Sequence, residues 1–159
     1  MKKHAGSCFY QLRQLRAVRR TLLAVAAKTL VHFLITTRVD LCNSVLYGIT
    51  TTNLRPLQSV INLAARLITG KCKFDHITDT LVNLHWLPVR QRIQFKLCSL
   101  VSKCQRRTAP SYLADMCIPV SAMSGRTHLR SAIDSDFVVP RTRLARYGPC
   151  SFAVLGPAT

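Results

Sequence analysis

A chain of 159 residues with 48% hydrophobic side chains has the length of one domain and enough apolar material for a core, which excludes a globally disordered protein. Its 23 Lys and Arg face only 6 acids, for a formal charge of +17, and every acid is an Asp: Asp40, Asp75, Asp79, Asp115, Asp134 and Asp136. Such a balance points to a polyanionic partner, most commonly nucleic acid, with a mitochondrial or ribosomal-type basic protein or a piece of a longer chain as the blander alternatives.

From Cys8 to Val18, the residues Phe9, Leu12, Leu15 and Arg19 recur at helical spacing, while Arg13, Arg16 and Arg20 fall on an adjoining stripe. Leu22 to Ile35 is apolar except for Lys28, Thr29 and His32. That predicts a buried helix, too short for a membrane span of about 20 residues, so no membrane partner is expected. Arg38 to Tyr47 predicts a second helical piece or an extension of the first, stopped by Gly48, and Thr50-Thr51-Thr52-Asn53 supplies a loop and a cap. Leu57, Val60, Ile61, Ala64, Leu67 and Ile68 then keep helical spacing, with Gly70 closing the helix. Asp75 to Leu84 reads as a short helix with Asp75 or Thr78 as its cap.

Leu84-His85-Trp86-Leu87-Pro88-Val89-Arg90-Gln91-Arg92-Ile93 joins that helix to the best amphipathic run of the chain. Pro88 suits a first helical residue, where no N–H is needed. Val89, Ile93, Leu97, Leu100, Val101 and Cys104 make an apolar face, and Arg92, Lys96, Ser99 and Lys103 form a stripe beside it. Trp86 and His85 invite base stacking, but a Trp between Leu84 and Leu87 reads better as a core anchor fixing the angle between two helices. Ala109-Pro110-Ser111-Tyr112-Leu113 starts another short helix. Beyond Cys117 periodicity fades, Gly, Pro, Ser and Arg accumulate, and Asp136-Phe137-Val138-Val139-Pro140 is at most a short strand. The expected organisation is mainly α, with a helical region over 1–117 and an irregular basic tail over 118–159.

Little chemistry is written into these residues. Metal-dependent phosphoryl transfer needs clustered carboxylates, and the nearest pairs are Asp75/Asp79, which suit a helix cap and an exposed acid, and Asp134/Asp136 in the tail. Cys72 and His76 are half of a zinc motif without a second half. The seven Cys (Cys8, Cys42, Cys72, Cys98, Cys104, Cys117 and Cys150) are odd in number and include no CxxC pair. Met1-Lys2-Lys3-His4 leads into a polar, Arg-rich helix instead of an apolar signal region. A reducing compartment is therefore expected, with thiols acting mostly as small core residues, and nothing in the sequence says whether that is cytoplasm or nucleus. No catalytic residue, metal or cofactor is expected. What remains is cationic: Arg13, Arg16 and Arg20, then Arg92, Lys96 and Lys103, then Arg126, Arg130, Arg141, Arg143 and Arg146. Solvated helix faces usually mix signs, whereas these carry almost no acids, which favours sequence-independent contact with phosphates.

Ordered blocks run through the chain: Cys8-Phe9-Tyr10-Gln11-Leu12-Arg13-Gln14-Leu15-Arg16, Leu30-Val31-His32, Asp40-Leu41-Cys42-Asn43-Ser44 with Leu46-Tyr47-Gly48, and Ala64-Ala65-Arg66-Leu67-Ile68-Thr69-Gly70. Asp75-His76-Ile77-Thr78, His85-Trp86-Leu87-Pro88-Val89, Ala109-Pro110-Ser111-Tyr112-Leu113 and Val139-Pro140-Arg141 follow. From about Cys8 to Pro157 the chain resembles the C-terminal part of the reverse transcriptase of LINE-type (non-LTR) retrotransposons. The resemblance implies a thumb-like helical bundle and post-thumb segment that pack on an RNA/DNA primer–template. It also implies that the palm, with its pair of adjacent catalytic Asp, and the fingers are missing. A catalytically incompetent fragment of an RNA-directed DNA polymerase is then expected, or alternatively a non-functional structural remnant or a domesticated nucleic-acid-binding protein. The chain departs from the family pattern at Arg106-Arg107-Thr108, where a His-Gly or Asn-Gly turn is common, and at Tyr147-Gly148-Pro149-Cys150, where Tyr-Gly-Asp-Arg is usual. It also stops at Thr159, before the family's Arg-Leu-Trp-Asn block. These departures imply a decayed copy of an element.

Overall fold

The computed structural model describes residues 2–41, 43–125, 128, 130–133, 136–142 and 151–156. The chain is mainly α-helical, as its periodicity predicts, and among the described residues no strand forms. It divides into two compact units, Met1–Arg92 and Ile93–Thr159. That division falls inside a helix, ahead of the compositional change at Cys117.

In the first unit, α1 (Lys2–Val18) buries Ala5, Cys8, Leu12 and Leu15 along one seam and packs on the central helix α4 (Thr51–Thr69). A 3₁₀ turn, Arg19–Thr21, follows. α2 (Ala24–Val31) then passes through a π-helical turn at His32–Thr36 into α3 (Thr37–Asp40). The expected fully buried helix over Leu22–Ile35 is not what forms. Ala27, Val31, Ile35 and Val39 are buried at four-residue intervals, whereas Leu23 and Phe33 are 80% and 71% exposed. Neighbours on one side, α1 and α4, cover one stripe, and apolar composition does not report how many neighbours a helix has.

α4 buries Leu54, Leu57, Val60, Ile61, Ala64, Ala65 and Ile68, and touches α1, α2 and α5 (Thr78–Asn83). Complete burial of a Val or Ile is worth roughly 1.5–3 kcal/mol, which makes Val60 and Ile61 the natural anchors of this unit. Thr50 holds the cap position of α4 without a side-chain cap bond, and the helix ends on Gly70 at φ 69°, a left-handed conformation that glycine adopts freely. Gly48, at φ 75°, ends the preceding 3₁₀ turn Asn43–Leu46 as expected.

Neither Asp75 nor Thr78 caps α5. Ile77 stands at the cap position, and the Asp75 carboxylate instead accepts the Cys72 N–H at 2.7 Å, closing the turn before it. α5 ends in a Schellman motif: His85 takes φ 56°, the Trp86 N–H donates to the Leu81 carbonyl at 2.8 Å and the His85 N–H to that of Val82 at 2.9 Å. α6 (Val89–Gln105) begins one residue later than expected. Pro88 precedes the helix, accepts the Arg92 N–H at 3.0 Å, and leaves Val89 as the first helical residue. The otherwise orphan Val89 N–H donates to Gln58 Oε1 at 2.9 Å.

In the second unit Ile93, Leu97 and Cys104 of α6 are buried. This helix also ends in a Schellman motif, with Arg107 at φ 53°, the Thr108 N–H on the Lys103 carbonyl at 3.0 Å and the Arg107 N–H on that of Cys104 at 3.1 Å. α7 (Ser111–Ala114), a 3₁₀ turn at Val120–Ala122, α8 (Arg130–Ile133) and α9 (Phe152–Leu155) are each about a single turn long. The stretch expected to be at most a strand forms an isolated antiparallel bridge, Pro119 with Phe137, through Val120 N–H to Asp136 O at 2.9 Å and Val138 N–H to Ile118 O at 2.8 Å.

Candidate nucleic-acid interface

The joint between α5 and α6 is built on a buried Trp86, 8% exposed, which takes the part of a core anchor. Arg92 lies over its ring at 5.9 Å from the centroid, donates Nε to the Leu87 carbonyl at 2.8 Å, and pairs through Nη1 with Asp40 Oδ2 at 2.8 Å. Asp40 also accepts from Asn43 Nδ2 at 3.4 Å. With its side chain only 12% exposed against 40% for Asp40, Arg92 has its donors aimed inward. Its placement differs from the solvent-facing stripe that spacing suggests, because a partner 52 residues earlier in sequence is folded against it.

The other stripe residues face water. Arg13 and Arg16 are exposed on α1, and Arg20 is exposed in the 3₁₀ turn beyond its end. Lys96 and Lys103 are exposed on α6, two turns or about 10 Å apart along the axis. Among the described residues the only ion pair is Arg92–Asp40, so these five cations have no carboxylate partner. Exposed Arg130 and Arg141 add to the basic surface, whereas Arg126, Arg143 and Arg146 lie outside the described residues.

Arg19 is the residue that the stripe reading passes over. Nε and Nη2 donate at 2.9 Å to the carbonyls of Leu67 and Ile68, in the last turn of α4, and Nη1 reaches Leu22 O at 3.2 Å. It stands one turn beyond Leu15 on the apolar seam of α1. An arginine continuing a seam needs acceptors, and a helix C-terminus offers a row of carbonyls with partial negative charge. Arg66 holds the following turn in the same way, through the carbonyls of Cys72 and Asp75 at 3.2 Å each.

Among the described residues no group of three or more His, Cys, Asp or Glu is placed to hold a metal ion, and Cys72 and His76 are both exposed. Asp79 lies exposed in the first turn of α5, where a negative charge complements the helix dipole. Asp134, Cys42 and Cys150 lie outside the described residues. Burial raises the Cys8 thiol above its ordinary range, with the nearby Arg38 charge pulling the other way. In the second unit a half-open cavity of about 800 Å³ is lined by Cys104, Arg107, Asp115, Cys117, Ser121 and Phe137 among others. No helix of the described residues is long and apolar enough to cross a membrane.

Comparison with protein-family models, with curated proteins and with solved structures yields no match.

Proposed function

We propose that this chain is a thumb and post-thumb piece of a LINE-type reverse transcriptase, without polymerase chemistry of its own, that binds RNA or DNA through the phosphate backbone without reading sequence. The observation that carries the binding reading is the set of exposed cations, Arg13, Arg16, Arg20, Lys96 and Lys103, with no acid among the described residues paired to them, in a chain of net charge +17. Lys and Arg so placed release counterions when they meet phosphates. The origin rests on the ordered blocks of sequence. Two structural features agree with it: Asp40 and Trp86, from separate blocks, both meet Arg92, and Arg107 adopts glycine-type backbone where the family pattern has a glycine turn.

Binding of the full chain to a DNA duplex and to an RNA–DNA hybrid across a salt series tests the reading. Log K is expected to fall linearly with log salt, by about 0.9 per phosphate neutralised on duplex DNA. No affinity at low salt, or affinity indifferent to salt, overturns it. Lys96→Gln and Lys103→Gln are each expected to reduce that slope by about one, whereas Arg92→Gln leaves it unchanged because Arg92 is committed to Asp40. Primer extension by the chain alone is expected to be nil.

The exposed apolar face of α2 and the π-helical turn favours a second reading, a structural remnant whose helices once packed against further protein. Leu23, Val25 and Phe33 are 80%, 77% and 71% exposed there. Concentration-dependent association by size-exclusion and light scattering, without salt-sensitive binding to nucleic acid, would favour it over the first.

A further inference from the structure

The connection between α4 and α5 carries Phe74, at 91% the most exposed large apolar side chain among the described residues. Its setting is a four-residue turn, Cys72–Asp75, that is tied down at both ends. The Cys72 N–H donates to Asp75 Oδ2 at 2.7 Å, and Arg66 donates to the carbonyls of both end residues at 3.2 Å each. Lys73 and Phe74, the two central residues, are exposed on this fixed base, with Lys73 Nζ 5.9 Å from the Phe74 ring centroid. Exposed Lys71 precedes the turn. The Arg19 bonds to the Leu67 and Ile68 carbonyls bring exposed Arg20, the next residue, to the same end of α4 from which Lys71 and Lys73 follow. A single exposed apolar side chain is ordinary on a protein surface. An open ring on a pinned turn among cations is a more specific arrangement, and Trp86, whose sequence setting invites base stacking, is closed to a base by burial.

We propose that Phe74 is a stacking platform for an unpaired base of a DNA or RNA strand whose phosphates meet Lys71 and Lys73, which adds single strands to the duplex backbone as a substrate class. The inference rests on the phosphate-binding reading above and extends it from phosphate to base. Every base presents a flat π-face whatever the sequence, and cations beside a ring take the flanking phosphates. Bases inside a duplex are stacked on one another, so only an unpaired nucleotide reaches a ring on the protein surface. The pinned turn holds the ring's backbone in place before binding and so lowers the ordering cost. Charge selects this partner over an apolar one. A lipid surface or a protein groove takes up a contiguous apolar area, whereas here one ring stands between Lys71, Lys73 and the Arg20 turn.

The test titrates the full chain into two dye-labelled single strands at low salt and follows their fluorescence anisotropy. One strand has about 12 thymidine nucleotides, and its abasic twin keeps every phosphate but lacks the bases. Wild type is expected to bind the thymidine strand about 5- to 100-fold tighter than the twin. Phe74→Leu keeps an apolar side chain without a π-face. It should lose most of that preference while its affinity for the abasic strand and its salt slope stay at the wild-type values. Phe74→Trp should restore the preference. Neither substitution is expected to disturb the fold at so exposed a position, and an unchanged urea midpoint checks this. Equal wild-type affinity for the two strands overturns the platform and leaves phosphate binding standing; Phe74-dependent retention on phosphatidylserine vesicles in that case assigns the ring to a membrane surface. A preference that Phe74→Leu retains belongs to another ring and also overturns the platform. No affinity for either strand at low salt overturns the phosphate reading, and this inference with it.

Discussion

His85 and Arg107 carry side chains on left-handed backbone, at φ 56° and 53°, in the position where helix ends prefer glycine. The conformation costs a residue with a Cβ roughly 1–2 kcal/mol, partly offset by the entropy a glycine loses on folding. His85→Gly and Arg107→Gly are each expected to stabilise the fold by about 0.5–1 kcal/mol, read as a higher urea midpoint at unchanged slope. Lower midpoints for both would mean that their side chains hold more than the backbone strains. Cys117 gives a residue-scale pH dependence. Burial, then the Cys104 thiol beside it, pushes the Cys117 thiol up from 9.0 to about 11. The folded chain therefore keeps a proton that the unfolded chain releases from near pH 9 upward. That contribution to stability is complete below pH 9 and is lost as pH climbs towards 11. Wild type should lose stability across this window more steeply than Cys117→Ala, and parallel profiles would refute the assignment.

At the scale of elements, Arg19 couples the end of α1 to the last turn of α4 with two charge-assisted bonds of 2.9 Å. Such a clamp on helix carbonyls is worth more than an exposed ion pair, since guanidinium and helix terminus satisfy each other in a partly buried place. Arg19→Ala is expected to cost about 2 kcal/mol in chemical denaturation, whereas Arg16→Ala, three residues earlier on the exposed stripe, stays within about 0.5 kcal/mol. Equal effects would show that the clamp adds nothing beyond surface charge. This contrast also marks where the sequence was readable. α4 and α6 follow their apolar periods closely, and Gly48 and Gly70 stop their elements, because those features depend on neighbours three or four residues away. The roles of Arg19 and Arg92 depend on carbonyls and a carboxylate 48 and 52 residues distant, which no local pattern encodes. The exposed side of α2 was hidden for the same reason. Of the candidate interface, spacing located Arg13, Arg16, Arg20, Lys96 and Lys103 on exposed positions but did not separate them from Arg92, which is on the same α6 stripe and turns inward.

For the molecule as a whole, a charge of +17 with a single ion pair among the described residues means that folding gathers cations with little internal neutralisation. Unfolding spreads those charges apart, so self-repulsion lowers stability at low ionic strength. Screening reaches across about 8 Å at 0.15 M salt, comparable to the distance of about 10 Å along α6 between Lys96 and Lys103. Melting temperature should therefore rise as sodium chloride is added from low ionic strength. A short DNA duplex should act in the same direction by binding the folded chain, adding about 2.7 kcal/mol at a hundredfold excess over its Kd. The two effects cannot add, because salt that relieves the repulsion also weakens binding to the duplex. In low salt the duplex should raise the melting temperature strongly, and in high salt the free and mixed samples should converge. A melting temperature that ignores salt would mean that the cations lie too far apart to repel, and a duplex effect that survives high salt would mean contacts other than phosphate dominate.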